Sequence, residues 1–413
     1  MKLNVLPDKD HRKGTSQRLA TLDELDDQSV EAAVDRFLQR SGAPRIIMRF
    51  FPETGWLWRQ WRGTVLEVTW RPAVYMMAVS AIFVVTMTVI EKVSWSLLAI
   101  PDPEHRIIRK LRPLENLWSY LLPMATFVNT FFLSQAYGFW LANKGNSRKV
   151  QGRVNDISML LAAHAARDSA GRVTPQAQEL LDTCARYIRL FHLTFWAAQV
   201  RPSRGDEGPS LSILRTPRGL AALLARGELT PSEHALFADK SFCAETLRHS
   251  VVLQWIVARF VDARRAGVVL GGSGMETVFF DKVCLLRATC ASITDDAAAR
   301  MPLSYVHLVQ ILVDTLIALA PFALYPRLGA LTVPLCGVLT VFYRGFLVLS
   351  KSFLDPFGNE DTTSENLNVQ CLVTETNAGS VRWKDNTKTL PFAVRATTTA
   401  SLCHRLALCL RGV

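Results

Sequence analysis

Cysteine is scarce in this sequence: eight thiols in 413 residues are too dilute for a disulfide scaffold. Charge is scarce as well, 20% against 49% apolar side chains, and that balance excludes a disordered polyelectrolyte. No Asn-x-Ser/Thr acceptor occurs, so glycosylation gives no topological signal. Residues 1–44 lack the apolar core of a secretory signal, and the acidic stretch Asp23 to Asp35 argues against a transit peptide covering that whole extension. A basic peptide confined to the first twenty residues, with Lys2, Lys9, Arg12, Lys13 and Arg18, is all that composition leaves room for.

Enzyme motifs are missing too. Gly271-Gly272-Ser273-Gly274 lacks the Lys-Ser/Thr that completes a phosphate loop, and reads as a turn or a close backbone approach. Cys284 and Cys290 have no matching Cys or His pair, which disfavours zinc. His164, His192 and His249 sit in helical patterns and read as structural residues. No Ser/His/Asp set or paired catalytic carboxylates can be placed, so the expectation is not an enzyme, with no nucleic-acid partner.

What is present is segregated apolarity. The uncharged run Ala73–Ile90 nearly crosses a hydrocarbon layer of about 30 Å, with Pro72 expected at its start. Asn116–Ala142 is also uncharged and contains Pro123, which frees a carbonyl and bends a helix. Pro302–Pro326 carries His307, Gln310 and Asp314, and Leu328–Ser350 carries only Arg344. Asp314 and Arg344 are costly against lipid and are expected to face protein or water. Four such runs in one chain favour a membrane protein over soluble core hairpins.

Basic flanks set the orientation. Arg45, Arg49, Arg59, Arg62, Arg71, Lys144, Arg148, Lys149, Arg153 and Lys351 fall on one side of the four spans. Lys92, Arg106, Arg109, Lys110, Arg112 and Arg327 fall on the other. The excess places both termini and the central region on the cytoplasmic side. That centre is helical: Val150–Ala166 repeats apolar residues at three- and four-residue steps. Thr174 and Pro175 open a helix with the stripe Leu180, Cys184, Ile188, Phe191 and Phe195; Thr230 and Pro231 open another. Arg201–Ser210 reads as a loop.

The expected organisation is a flexible extension over 1–44 and a membrane part over 45–143 with spans near 73–92 and 118–142. A helical cytosolic domain over 144–300 follows, then a second membrane part over 301–351 with spans near 302–326 and 328–350. An acidic turn over 352–383 and a tail over 384–413 complete it. The fold class is an all-α membrane protein with four transmembrane helices per subunit.

Trp61-Arg62-Gly63 before the first run, the Pro123 region ending in Phe139-Trp140, Met301-Pro302-Leu303-Ser304-Tyr305 and Asp355-Pro356-Phe357-Gly358-Asn359-Glu360-Asp361 occur in this order. Together they resemble the bestrophin family of anion channels. The resemblance implies a homo-pentamer in lipid around one axial pore, its neck lined by the second helix. Carried over, Leu122, Thr126 and Thr130 line that neck, and their four-residue spacing puts them on nearly one face. Many animal relatives have phenylalanine at the last two positions; threonine here widens the neck and offers hydroxyls to a partly hydrated anion, while back-bonding within the helix is the structural alternative. Chloride is the implied substrate, with bicarbonate, carried by some relatives in photosynthetic organisms, the alternative. The plasma membrane and an organelle membrane such as the thylakoid both fit. The family's calcium clasp maps onto Glu360 and Asp361, where threonines replace two further acidic positions and weaken calcium binding. Two other functions compete: a non-conducting scaffold with the same shell, and an ion-coupled transporter using His307, Asp314 and Arg344.

Overall fold

The computed structural model describes residues 26–47, 55, 59–61, 63–98, 103–201, 204–205, 208–358 and 367–392. In chain order the helices are α1 (Asp27–Leu38), α2 (Val65–Leu98), α3 (Pro103–His164), α4 (Pro175–Gln199), α5 (Pro217–Ala225), α6 (Pro231–Ala238), α7 (Arg248–Arg265), α8 (Ser273–Ala298), α9 (Leu303–Leu328), α10 (Thr332–Phe353) and α11 (Val369–Asn386). One small antiparallel pair, β1 (Arg204–Gly205) with β2 (Gly208–Pro209), lies within the segment expected to be a loop. The helices form two compact units, one comprising residues 47–145 and 295–367, the other residues 1–46, 146–294 and 368–413.

The first unit contains the apolar stretches. An 18-residue window within Val65–Ile90 has a mean hydropathy of 2.2, and one within Leu303–Phe353 has 1.9; the latter stretch is 51 residues long, enough for the two helices α9 and α10. Gly329, at φ 52°, turns the chain between them, in a region where a Cβ is strained. Helix α2 starts before the expected span, so Pro72 lies inside it rather than at its first turn. The Glu67 carboxylate accepts the Gly63 backbone N–H at 2.7 Å and stabilises that earlier start. Glycine lets α2 and α10 approach closely: a Cβ on Gly345 would lie 2.6 Å from Val65 Cγ1, and one on Gly337 2.7 Å from the Met77 side chain. Helix α3 packs on the hairpin through Phe132 and Ala136, which join Val309, Val313, Ile317, Leu347 and Leu354 in one buried cluster.

Helix α3 runs 62 residues, about 90 Å, through Pro113 and Pro123. The sequence reads as two elements there because polarity rises after Ala142, but backbone hydrogen bonding does not depend on that change.

In the second unit the α4 stripe is buried as its spacing predicts, with Leu180, Cys184, Ile188, Phe191 and Phe195 all in the core, and Leu190, Leu193 and Trp196 extend the burial beyond that one face. The Thr174 hydroxyl accepts from Ala177 N–H with Pro175 at the first turn, and Thr230 and Glu233 make a reciprocal capping box. Within the extension expected to be flexible, α1 is an ordered amphipathic helix that buries Val30, Ala33, Val34 and Phe37. Gly271 is the close approach inferred from its sequence: at φ 127°, a Cβ would meet Met275 at 3.1 Å and His164 Nδ1 at 3.2 Å.

His192 is buried in α4 and accepts a hydrogen bond from Trp196 Nε1 at 2.9 Å through Nε2, which puts its own proton on Nδ1. Burial pushes its pKa down to about 3 and also lowers that of His249. The unfolded chain therefore binds more protons than the folded one between about pH 6.5 and 3. This contribution is complete above pH 6.5 and is lost as pH falls. Lowering the pH from 7.5 to 5 should cost about 2 kcal/mol at His192 alone. Glu233, held down to about 2 with Arg186 and Tyr187 bonded to it, loses its contribution only below its unfolded value near 4.5, outside that window. Denaturant titrations at the two pH values test this. His192→Gln should flatten the dependence, and an unchanged slope would place the titration elsewhere.

Candidate functional site

Between Asn116 and Ala142, α3 has two faces of different character. Ala125, Asn129, Phe132, Ala136 and Trp140 form a buried stripe at three- and four-residue steps. Thr126 and Thr130 are exposed at its flank, Leu122 is half-buried, and Tyr120, Met124, Phe127 and Phe131 are exposed away from the stripe. Phe127 and Phe131 stack with ring centroids 6.3 Å apart. Trp118 Nε1 donates to the Leu316 carbonyl of α9 at 2.9 Å.

The two threonines differ in their bonding. Thr126 Oγ1 donates to the Leu122 carbonyl at 2.7 Å and lies 2.6 Å from Tyr343 Oη of α10. Asn129 Nδ2 donates to the Tyr343 backbone carbonyl at 3.1 Å, fixing the same turn of α10. The Thr130 hydroxyl has no hydrogen bond among the described residues. Tyr343 and Asn129 escaped sequence reading: the tyrosine is 217 positions from its partner, and Asn129 is one polar residue in an uncharged run.

The polar residues of the apolar α9–α10 hairpin divide similarly. Arg344 Nη2 reaches Asp314 Oδ1 at 3.0 Å, Gln310 donates to the other Asp314 oxygen, and Lys351 Nζ donates to Gln310 Oε1 at 2.6 Å. One chain of four side chains thus links α9 to α10. His307 is exposed one turn away and belongs to no such bond among the described residues. Glu360 and Asp361 lie outside the described residues. Among the described residues, no cluster of three or more His, Cys, Asp or Glu has metal-binding geometry.

The profile of the family described as "Bestrophin, RFP-TM, chloride channel" matches residues 54–378. The chain belongs to the bestrophin family. Similar solved structures support the same fold. That of a bacterial Bestrophin homolog from Klebsiella pneumoniae is 14% identical, with 77% of this chain and 99% of that chain covered at a TM-score of 0.55. A variant of that homolog is 15% identical over 76% and 98% of the two chains, with a TM-score of 0.54. Another membrane-protein structure is 15% identical over 65% and 87%, with a TM-score of 0.53. No curated relative matches.

Membership in the bestrophin family makes the chain an integral, multi-pass membrane protein of a channel family, not an enzyme. The architecture is a membrane-associated bestrophin-like fold, predominantly α-helical, with long hydrophobic helices as expected.

Proposed function

We propose that the protein is a passive anion channel: a pentamer with four crossings per subunit, conducting chloride, with bicarbonate as the alternative ion, along the α3 face of Leu122, Thr126 and Thr130. Bestrophin membership and the uncharged, half-exposed character of α3 between Asn116 and Ala142 support this reading together. The second observation carries it. Thr130, Ser134 and Gln135 keep exposed polar side chains on this uncharged stretch, which suit a helix facing partly hydrated ions. The unit built on α4 belongs on the cytosolic side by the basic flanks, whose Arg and Lys raise local anion concentration.

Purified protein in planar bilayers should give reversal potentials that follow the chloride or bicarbonate gradient. Currents that follow cations would overturn the proposal. Replacing Thr126 and Thr130 together with phenylalanine narrows the proposed neck and should reduce single-channel conductance by about tenfold, roughly 1.4 kcal/mol added to the barrier. Unchanged conductance would move the ion path to another face. The Asp314–Arg344 pair favours a second reading, ion-coupled transport, which would show as flux driven by a proton gradient at fixed anion gradient.

A further inference from the structure

We propose that Tyr343 decides which neck threonine can serve an anion: it pins the Thr126 hydroxyl, so that position 126 acts as an apolar ring and Thr130 supplies the hydroxyl donor. The proposal rests on the reading of α3 as the pore helix. A threonine hydroxyl has one proton. In Thr126 that proton is directed to the Leu122 carbonyl at 2.7 Å, so the 2.6 Å contact requires the Tyr343 phenol to donate to Thr126 Oγ1. Both are ordinary lengths for strong hydroxyl bonds. Two bonds from different helices hold Thr126 in one rotamer, with its oxygen turned to the helix and to α10 and its Cγ2 methyl left to project.

The tyrosine is itself held. Asn129 is fully buried and donates to the Tyr343 carbonyl at 3.1 Å. Thr130, one turn beyond Thr126, is exposed and has no such bond among the described residues. Its proton is therefore available to a passing ion. A hydroxyl donor replaces part of an anion's hydration shell and favours strongly hydrated chloride over weakly hydrated thiocyanate. Tyr343 is thus a positioning residue that acts through Thr126.

The test is the thiocyanate-to-chloride permeability ratio, read from bi-ionic reversal potentials of the full-length channel in bilayers. Thr126→Val preserves shape and removes a hydroxyl that is already engaged, so it should move the ratio much less than Thr130→Val does. Thr130→Val should raise the ratio about fivefold, the factor carried by one net hydrogen bond. Tyr343→Phe leaves the Thr126 proton its bond to the Leu122 carbonyl but removes the cross-helix bond that fixes the rotamer. The hydroxyl is then free to turn outward, and the ratio should fall. Adding Thr126→Val to Tyr343→Phe should return the ratio to that of Thr126→Val alone. This reversal separates positioning from a structural role, because a packing defect at Tyr343 would persist in the double variant. Equal shifts for Thr126→Val and Thr130→Val, or a Tyr343→Phe effect that survives the added valine, overturns the inference while leaving the channel reading intact. If Tyr343→Phe does not assemble, the two valine variants in the Tyr343 background still decide it. Absence of anion current from the assembled unmutated protein overturns the channel reading itself, and this inference with it.

Discussion

Replacing Glu228 with alanine should destabilise the α4-centred unit by about 3–5 kcal/mol, the cost of leaving a buried cation without its partner. Glu228 follows α5 and takes the Arg189 guanidinium through both carboxylate oxygens, with contacts of 2.9–3.1 Å from Nε and Nη2. Both side chains are about nine-tenths buried, at 10% and 9% exposure, so bulk water cannot replace the lost carboxylate. The only other side-chain partner of that guanidinium among the described residues is Ser380 of α11, at 3.4 Å from Nη1. One ion pair therefore ties the centre of α4 to the α5 loop and places its free arm near α11. Chemical denaturation of the detergent-solubilised protein measures the loss. Removing both charges in Arg189→Met/Glu228→Leu should recover most of it, because the double variant buries no unpaired ion. A Glu228→Ala loss below about 1 kcal/mol would mean that the site behaves as an exposed pair.

The bond between Arg189 and Glu228 also marks what sequence reading can and cannot reach. Helix starts were legible because their chemistry is local: Thr174 with Pro175 and Thr230 with Pro231 sit within three residues of the groups they cap. The α4 stripe was legible because one helix repeats its buried face every three or four positions. Arg189 and Glu228, 39 positions apart, follow no such period. Leu122, Thr126 and Thr130 could be placed on one face from spacing. The engagement of Thr126 and freedom of Thr130 could not, because the difference comes from Tyr343 on another helix. Gly337 and Gly345 were silent for the same reason: a glycine in an apolar run says nothing until Met77 and Val65 of another helix come against it. Hydropathy reports the solvent a surface prefers and not the continuity of the backbone ladder, which is why Pro72 reads as a helix start although α2 begins at Val65.

Asp314→Leu should lower the stability of the assembled protein by about 3 kcal/mol, the cost of an unpaired arginine at the centre of a membrane helix. Asp314 lies eleven positions past Leu303, about 16 Å along α9, roughly half the depth of a hydrocarbon layer. There Arg344 has the Asp314 carboxylate at 3.0 Å, and both side chains are 39% exposed. Leucine at position 314 leaves the guanidinium without its carboxylate, and also releases Gln310 from its acceptor. Asp314→Asn should cost less, because the amide oxygen still accepts a hydrogen bond. Asp314→Leu/Arg344→Leu should restore most of the stability, since the hairpin then presents an apolar surface. Thermal melts of the purified protein in lipid nanodiscs read these differences. If the ion path follows α3, the double variant should also retain anion current, because neither residue lies on that helix. Loss of current in a well-folded double variant would transfer the conducting role from the α3 face to the α9–α10 pair. An unchanged melt in Asp314→Leu would mean that Arg344 is already hydrated, and that water reaches the middle of the hairpin by a route other than the proposed neck.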